Sequence, residues 1–275
     1  MNCGIIYNAF YKGASYLNNI ALFEDGIKRA GHTPITMTNA QMYNTNRYDF
    51  DIALFLDKDL NLAYILEKNG VRLFNSADTI RICDDKALMQ VYLNSENVPS
   101  PKTYIPPFTF SNIGYPEDFF THNGSYPIII KETKGSFGKQ VHLAKDKNEY
   151  NNIIRRILPN SFIVQEYFPE GYSDTRVFVL GGRAICAMQR TNTGDFRSNA
   201  ELGGICSSCE LTEDAAVTAE LASKAVGADF CGVDLVKHND KHYVIEVNSN
   251  SMINNLVKYS GVDVPLEVAK HITSS

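Results

Sequence analysis

The chain has 275 residues, of which 44% are hydrophobic and 21% are charged. This length suffices for one large domain or for about two or three small ones around a shared cleft, and the composition is that of an ordinary soluble globular protein. The formal net charge of −5 argues against non-specific nucleic-acid binding as the main task. The N-terminal segment lacks the basic region of a signal peptide, and no apolar run approaches the roughly 20 residues of a membrane span. We therefore expect a cytoplasmic protein without a nucleic-acid or membrane partner.

The six cysteines are scattered along the chain. Only Cys206 and Cys209 have a spacing that suggests a metal or redox pair, and no second pair completes a zinc site. The pattern favours a pair without such a role, in a chain kept reduced.

The first 84 residues alternate predicted strands and helices. Such an order is typical of a small, mostly parallel α/β unit. Ser76 and Asp84 are predicted N-caps of two further helices, and Val98-Pro-Ser-Pro101 then breaks the chain. The predicted strands of the unit are 4–9, 35–38, 51–56 and 71–74, and its helices are 15–30 and 60–68.

Beyond the break the pattern changes to an α+β body with antiparallel sheets. Gly181-Gly182 and the polar turn at 238–241 predict two hairpins. The predicted strands include 128–131, 141–144, 162–168, 175–180 and 183–190, and the helices are 147–158 and 213–226. We divide the chain into an N-terminal unit at 1–84, a central unit at 85–165 and a C-terminal unit at 166–275.

The hairpin of residues 231–235 and 244–248 carries the strongest indication of chemistry. Side chains alternate along a strand, so Glu246 and Asn248 point the same way, and Asp234 on the partner strand could face them. Carboxylate and amide oxygens suit Mg²⁺, although an acidic pair on a hairpin is more often a solvated face. The apolar neighbours predicted to bury the opposite face are Val233, Leu235, Ile245 and Val247.

A glycine-containing loop, Gly135-Ser136-Phe-Gly138, follows the apolar strand that ends at Lys131. Glycines let backbone N–H groups approach phosphate oxygens, and Lys131 adds a positive charge. The spacing is not that of a Walker loop, and a plain hairpin turn is the alternative. Similarly, Gln165-Glu166-Tyr167 at a strand end could read an adenine edge or be an ordinary edge strand.

Four arginines lie in one window of this acidic chain. Guanidinium groups bind carboxylate and phosphate in a two-point geometry, so the cluster indicates an anionic substrate or a phosphoryl group in transfer. The alternative for each is a solvated surface position, and Arg183 beside the glycine turn is assigned to it. The four are Arg176, Arg183, Arg190 and Arg197.

Taken together, these segments resemble the ATP-grasp superfamily and, within it, the RimK-type carboxylate–amine (alpha-L-glutamate) ligases. The resemblance is close over about 80–275 and general before that. It implies an ATP-grasp fold of α/β and α+β character, with an N-terminal Rossmann-like (pre-ATP-grasp) α/β domain, a central lid and a C-terminal subdomain for metal and substrate. The matching segments, in order, are Asp85-Lys86, Ile130-Lys131, the 135–138 loop, Gln165-Glu-Tyr167, Asp174-Thr-Arg176, Gly194-Asp-Phe-Arg-Ser-Asn199, Gly232-Val-Asp234 and Glu246-Val-Asn248.

The resemblance also implies ATP and two Mg²⁺ ions as cofactors, with Mn²⁺ as a substitute. Glu166 and Tyr167 would bracket the adenine, and Asp174 would contact the ribose. The residues implied for the ATP phosphates are Lys86, Lys131, Gly135, Ser136 and Gly138.

For the reacting groups, the resemblance implies that Arg197, Ser198 and Asn199 meet the terminal phosphate and the reacting carboxylate, with Arg197 and Asn199 catalytic. Arg176 and Arg190 would hold substrate carboxylates. The implied Mg²⁺ ligands are Asp234, Glu246 and Asn248.

The implied reaction is ADP-forming amide synthesis through an acyl phosphate, with an amino acid such as glutamate among small-molecule or peptide carboxylates and amines, in a homo-oligomer. An ATP-grasp kinase for a small anion and a nucleotide-binding regulatory module remain alternatives. Two departures leave the substrate open. Ser249-Asn-Ser-Met252 replaces the usual small residue and Pro-Gly, and Leu56-Asp-Lys-Asp59 lacks a Pro-Arg.

Overall fold

The N-terminal unit is built on a parallel sheet. The computed structural model describes residues 1–45, 48–110, 126–135, 138, 140–169, 173–192 and 204–274. Its first sheet has the strand order β2-β1-β3-β4, with each neighbouring pair parallel, as predicted. The elements are β1 (Asn2–Tyr7), α1 (Ala14–Arg29), β2 (Thr33–Thr38), α2 (Asn39–Tyr43), β3 (Ile52–Leu56), α3 (Leu60–Lys68), β4 (Arg72–Phe74) and α4 (Ala77–Cys83).

Capping side chains fix where the helices after this sheet begin. Ser76 Oγ accepts from Thr79 N and starts α4, as predicted. The predicted cap at Asp84 is wrong by one residue, because Asp84 ends α4. It is the carboxylate of Asp85 that accepts the first free N–H groups of the next helix, α5 (Lys86–Ser95). This cap places Lys86 at the first turn of α5.

The central sheet is antiparallel, with the order β5-β8-β6-β7. Its helix buries four residues at helical spacing against the sheet, which gives this unit a core of its own. The short strand β5 lies at the sheet edge and was not predicted. The elements are β5 (Thr103–Tyr104), β6 (Ile128–Glu132), β7 (Val141–Ala144), α6 (Lys147–Ile157) and β8 (Phe162–Glu166).

The C-terminal sheet is antiparallel and has the order β11-β10-β9-β12-β13. The helix α7 packs small alanines onto one face of it, together with Met89 and Leu93 of α5. The limits proposed between the central and C-terminal units stay a prediction. The elements are β9 (Ser173–Leu180), β10 (Arg183–Thr191), β11 (Ile205–Ser208), α7 (Glu213–Val226), β12 (Phe230–His238), β13 (Lys241–Asn248), α8 (Asn254–Ser260) and α9 (Val264–Ser274).

Asn75 joins the parallel sheet to the C-terminal sheet. Its side chain is fully buried, and its Nδ2 donates to the carbonyl oxygens of Phe230 and Ser249, both at 2.8 Å. Its Oδ1 accepts from Asp229 N at 2.8 Å and from Phe230 N at 3.3 Å. One apolar core also runs through the two units, with Phe23, Phe178 and Phe230 in contact. The carboxyl ends of β1 and β3 are thereby held beside the C-terminal sheet.

Among the described residues, no helix combines the length and the apolar character that a bilayer crossing requires.

Candidate functional site

The β12–β13 hairpin places the predicted oxygen donors on one face. Asp234 lies opposite Glu246, and Gly232 lies opposite Asn248. The register then shifts by one residue at Ile245, so Val244 rather than Ile245 takes the core position. The expected burial of Ile245 is therefore wrong, since this residue is only half-buried.

Asp234 is the centre of a buried cluster of charges. Its side chain is 3% exposed, and its two oxygens accept from Arg176 Nε and Nη2 at 2.7 and 2.8 Å. Arg190 Nη2 lies 2.8 Å from the same carboxylate. Burial alone would raise the pKa of Asp234, but the two guanidinium groups outweigh it and lower the pKa to about 2. Asp234 is thus an ionised carboxylate with internal counterions.

Arg190 carries a second carboxylate partner, Asp174. Arg190 Nε and Nη2 donate to the two oxygens of Asp174 at 2.7 Å each. Burial alone would lower the pKa of Arg190, but Asp174 and Asp234 outweigh it and keep the guanidinium charged. The resemblance implies a ribose contact for Asp174, whereas the structure buries this side chain and gives its oxygens to Arg190.

Lys86 and Lys131 bring two further cations to the hairpin, at 7% and 8% exposure. Lys86 Nζ lies 4.0 Å from Glu246 Oε1 and donates to Gly135 O at 3.3 Å. Lys131 Nζ donates to the carbonyl of Ile245, the residue at which the register shifts, at 3.4 Å. Burial lowers the pKa of Lys131 to about 8, and the carboxylate of Glu246 opposes this shift only in part. Two nearly buried ammonium groups beside one carboxylate favour an anionic ligand.

The glycine loop joins two antiparallel strands, β6 and β7, as predicted. Gly135 and Gly138 have φ angles of 149° and 70°, which residues with a side chain rarely adopt. At the end of β8, Glu166 is exposed and Tyr167 is half-buried. Four of the predicted site residues lie outside the described residues, namely Ser136, Arg197, Ser198 and Asn199. The ATP contacts implied for the glycine loop, for Glu166 and Tyr167, and for these four residues stay predictions.

A cleft of about 360 Å³ opens beside the charged cluster. Its lining brings together five of the predicted site residues, which are Gly135, Arg176, Arg190, Glu246 and Asn248. The loop after β13 and the start of α8 add Asn250, Ser251, Met252, Asn254 and Asn255. The opposite wall comes from the N-terminal unit. The sequence analysis assigned no site role to its residues, which are Asn8, Tyr11, Ser15, Tyr16, Leu56, Asp57 and Lys58.

Hydrogen bonds order the N-terminal wall around Tyr16. Tyr16 Oη donates to Leu56 O at 2.6 Å and accepts from Asn8 N at 2.9 Å, while Asn8 Nδ2 donates to both oxygens of Asp57 at 3.1 and 3.3 Å. Burial raises the pKa of Tyr16 to about 12, so its hydroxyl stays a donor. A signal for this wall was present, because Asp57 directly follows an apolar strand at the carboxyl end of a parallel sheet, where open α/β sheets bind ligands.

The donor set of Asp234, Glu246 and Asn248 fits Mg²⁺ in its chemistry, because it offers two carboxylates and an amide oxygen on one sheet face. The oxygens of Asp234 accept hydrogen bonds from Arg176 and Arg190. Asn248 Nδ2 lies 3.4 Å from Asp234 Oδ2. Glu246, with a 30% exposed side chain, is the accessible donor. In the described part of the chain, no group of three or more His, Cys, Asp and Glu residues forms a metal site. Three neighbouring side chains thus compete with a metal ion for the oxygens of Asp234.

The two cysteines of the suggestive pair lie on different faces of the C-terminal sheet. Cys206 lies on β11, opposite Arg190 of β10, and packs against the core shared with the N-terminal unit. Its sulfur accepts a hydrogen bond from Asn255 Nδ2 at 3.4 Å. Cys209 packs against the core beneath α7. Both thiols are free.

Comparison with known proteins assigns the chain to a family. The model of the RimK-like ATP-grasp domain matches residues 83–272, so the chain belongs to the RimK-like ATP-grasp family. The chain is 36% identical over 205 residues to human N-acetylaspartylglutamate synthase A, a match that covers 70% of this chain and 50% of the human protein. This chain therefore spans about half the length of that relative.

Two further relatives match over most of their length. Glutamate–LysW ligase ArgX of Sulfolobus acidocaldarius is 30% identical over 239 residues, which cover 83% of each chain. An uncharacterised protein of Mycoplasma pneumoniae, the MG012 homolog, is 29% identical over 283 residues, covering 97% of this chain and 98% of that protein.

Solved structures confirm the predicted fold. D-alanine–D-alanine ligase from Bacillus anthracis superimposes with a TM-score of 0.80 at 16% identity, covering 100% of this chain and 96% of that one. The RimK domain ATP-grasp protein from Sphaerobacter thermophilus gives a TM-score of 0.72 at 20% identity, covering 98% and 99%. The chain has the ATP-grasp fold.

Proposed function

We propose that this protein is an ATP-dependent carboxylate–amine ligase that forms an amide or peptide bond, with an amino acid such as glutamate as one substrate and ADP as a product. The observation that carries this proposal is the convergence of four cationic side chains on one hairpin beside a cleft. Lys86 approaches Glu246 and the glycine loop, Lys131 donates to the carbonyl of Ile245, and Arg176 and Arg190 line the cleft itself. Two relatives, N-acetylaspartylglutamate synthase A and a glutamate–LysW ligase, support glutamate as a substrate.

The chemistry of amide formation suits this arrangement. A carboxylate is a poor electrophile, so the γ-phosphoryl group of ATP is first transferred to it, which breaks the γ-phosphorus–oxygen bond and releases ADP. The amine then attacks the carbonyl carbon, the C–N bond forms, and phosphate leaves. Such a transfer needs positioning and charge neutralisation more than covalent participation by the protein. Lys86 and Lys131 would neutralise ATP phosphates, and Arg176 and Arg190 would orient a substrate carboxylate.

The glycine loop between β6 and β7 is proposed to close over the nucleotide. Lys86 donates a hydrogen bond to Gly135 O at one end of the loop. A phosphate that binds Lys86 would therefore also change the hydrogen bond that holds this end of the loop. Closure would exclude water from the acyl phosphate. Glu166 and Tyr167 at the end of β8 are proposed for adenine, and Arg197, Ser198 and Asn199 for the reacting groups.

Bound Mg²⁺ would supply charge neutralisation at the ATP phosphates. Glu246 and Asn248 are proposed to hold it, with Asp234 joining them when a guanidinium turns to an anionic ligand. Two ions, with Mn²⁺ as a substitute, remain part of the proposal.

The test is to incubate the purified chain with ATP, Mg²⁺ and a panel of carboxylates and amino acids that includes L-glutamate. We expect ADP formation over many turnovers only when both an acid and an amine are present, together with a product of the amide's mass. Glu246→Gln should abolish ADP formation, whereas Glu96→Gln, an exposed position on the end of α5, should not. A phosphorylated product without amine consumption would indicate a kinase instead. ATP binding without turnover would indicate a regulatory module.

A further inference from the structure

Asp57 is a buried carboxylate at the cleft, and the residues that the structure describes give it no cationic partner. It is 6% exposed and follows the last residue of β3. Its oxygens accept from Asn8 Nδ2 and, at 2.7 Å, from Lys58 N, and no ion pair to it occurs among the described residues. The ammonium group of Lys58 is directed to Asp84. Burial raises the pKa of Asp57, and the hydrogen bond from Asn8 opposes this in part. A nearby cation would offset this cost of burial.

Two more oxygen atoms on the cleft lining have unused hydrogen-bonding capacity. Asn250 Oδ1 and Ser251 Oγ are buried and make no hydrogen bond within the described ranges. Both belong to the loop that directly follows β13. Either oxygen can accept a hydrogen bond from an N–H donor once it is turned toward the cleft.

The opposite side of the cleft has the complementary charge. Arg176 and Arg190 line the same 360 Å³ space as Asp57. The carboxylates of Asp174 and Asp234 satisfy only some of the N–H donors of these two guanidinium groups. A ligand that spans the cleft therefore meets guanidinium groups on one wall and an unpaired carboxylate on the other.

We propose that Asp57 binds the ammonium group of an amino-acid substrate whose carboxylate faces Arg176 and Arg190. This inference rests on the proposed function for the identity of the cleft as the substrate site. It makes Asp57 a specificity residue, because an acid of the same shape without the amine would leave the carboxylate buried and unpaired. The hydrogen bonds from Asn8, itself held by Tyr16, fix the direction in which Asp57 points.

The experiment measures binding of matched pairs of acids with and without the amine. Isothermal titration calorimetry is run with Mg²⁺, with and without a non-hydrolysable ATP analogue, on L-glutamate against glutarate, L-aspartate against succinate, and L-alanine against propionate. We expect the wild-type chain to prefer the amino acid of at least one pair by about 10- to 100-fold, the range of a charge-assisted hydrogen bond. Asp57→Asn should reduce that preference to less than about threefold.

Two further variants complete the design. Asp51→Asn removes the same charge just before β3, at an exposed position, and should keep the full preference. Asp57→Glu keeps the charge but displaces it and should give an intermediate preference. Asp57→Asn removes a charge that burial disfavours, so we expect the variant to fold, and thermal unfolding checks this.

The proposal is overturned if Asp57→Asn retains the preference, or if no pair shows one in the wild-type chain. Binding of the ATP analogue separates this result from the proposed function. If the analogue binds and amide forms while the preference survives in Asp57→Asn, only the role of Asp57 is rejected. If no amide forms with any acid and amine, the ligase proposal fails, and the paired titrations still decide whether Asp57 recognises an ammonium group.

Discussion

Arg176 and Asp234 form a two-point ion pair between neighbouring antiparallel strands, with nitrogen–oxygen distances of 2.7 and 2.8 Å. The register of β9 and β12 places the two residues directly opposite each other. Arg190 reaches the same carboxylate from the next strand, β10. The carboxylate implied as a metal ligand is therefore paired with two guanidinium groups, and this has consequences for stability as well as for binding.

Removing the charge of Asp234 should destabilise the fold strongly. Asp234→Asn leaves two nearly buried guanidinium groups with an incomplete set of partners, so we expect the free energy of unfolding to fall by about 3–5 kcal/mol. Urea denaturation measures this change. The double variant Arg176→Gln/Asp234→Asn removes both members of the pair and should lose less stability than the sum of the two single variants. Strictly additive losses would mean that the pair is not coupled.

The pKa of Lys131 should give ATP binding a pH dependence. Protonated Lys131 attracts phosphate, and because its pKa is about 8 the charge is lost as the pH rises through this value. We expect the dissociation constant of Mg·ATP to be roughly tenfold larger at pH 9 than at pH 7, as the competent fraction falls. Lys131→Arg stays charged and should bind with little change over this range. Equal pH dependence in both proteins would exclude Lys131 as the cause.

The same residue affects stability with the opposite sign. The ordinary lysine pKa of 10.5 lies above the folded-state value of about 8, so the unfolded chain binds more protons between these pH values. The contribution of Lys131 to the free energy of unfolding therefore increases as the pH rises from about 8 towards 10.5. Chemical denaturation at pH 8 and pH 10, compared between wild type and Lys131→Met, isolates this contribution.

Asn75 should be among the polar side chains most important for stability. Asn75→Ala leaves buried backbone groups of Asp229, Phe230 and Ser249 without their partners, and we expect a loss of about 2–4 kcal/mol. Asn69→Ala is the matched control, because this exposed amide donates only to Ile65 O within α3, and it should cost less than about 1 kcal/mol. Equal melting temperatures for the two variants would contradict the bridging role.

Gly232 should tolerate no side chain. A Cβ at this position would clash with Ser251 Oγ and come within 3.0 Å of Ser251 Cβ. We expect Gly232→Ala to cost about 1–3 kcal/mol, the range for overpacking. Gly232→Ala/Ser251→Gly should recover at least half of the loss, since it removes the clashing atoms. A double variant no more stable than Gly232→Ala would place the strain elsewhere.

The regular elements could be predicted because their signals are local. The apolar run of β3, the helical spacing in α6 and the glycine turn before β10 each lie within a few residues. That Asp234 faces Glu246 was predicted, but the turn alone does not fix this pair. The register next to the turn would pair Asp234 with Ile245, and the one-residue shift at Ile245 brings Glu246 opposite Asp234.

The charged cluster could not be predicted, because it depends on strand order. β9 and β12 are neighbours although they are separated in sequence by β10, β11 and α7, and only this pairing brings Arg176 to Asp234. The position of Asp57 at the end of an apolar strand was a signal for a ligand site, but the packing of its unit against the C-terminal sheet, which completes the wall, could not be predicted from local patterns. The shift at Ile245 was missed for a third reason, since a bulge changes which residues face the core without changing their order.

Two parts of the chain that are far apart in sequence, the N-terminal unit and the C-terminal sheet, line the cleft. Its N-terminal wall is built around the ends of β1 and β3, and its charged wall comes from β9, β10 and β13, which begin only at Ser173, Arg183 and Lys241. Under the proposed function, short replacements at the ends of β1 and β3 would therefore change which substrate is accepted and leave the nucleotide-binding residues unchanged. Chimeras that exchange only those ends between relatives offer a direct route to altered selectivity, and the same modularity gives evolution a simple way to diversify this family.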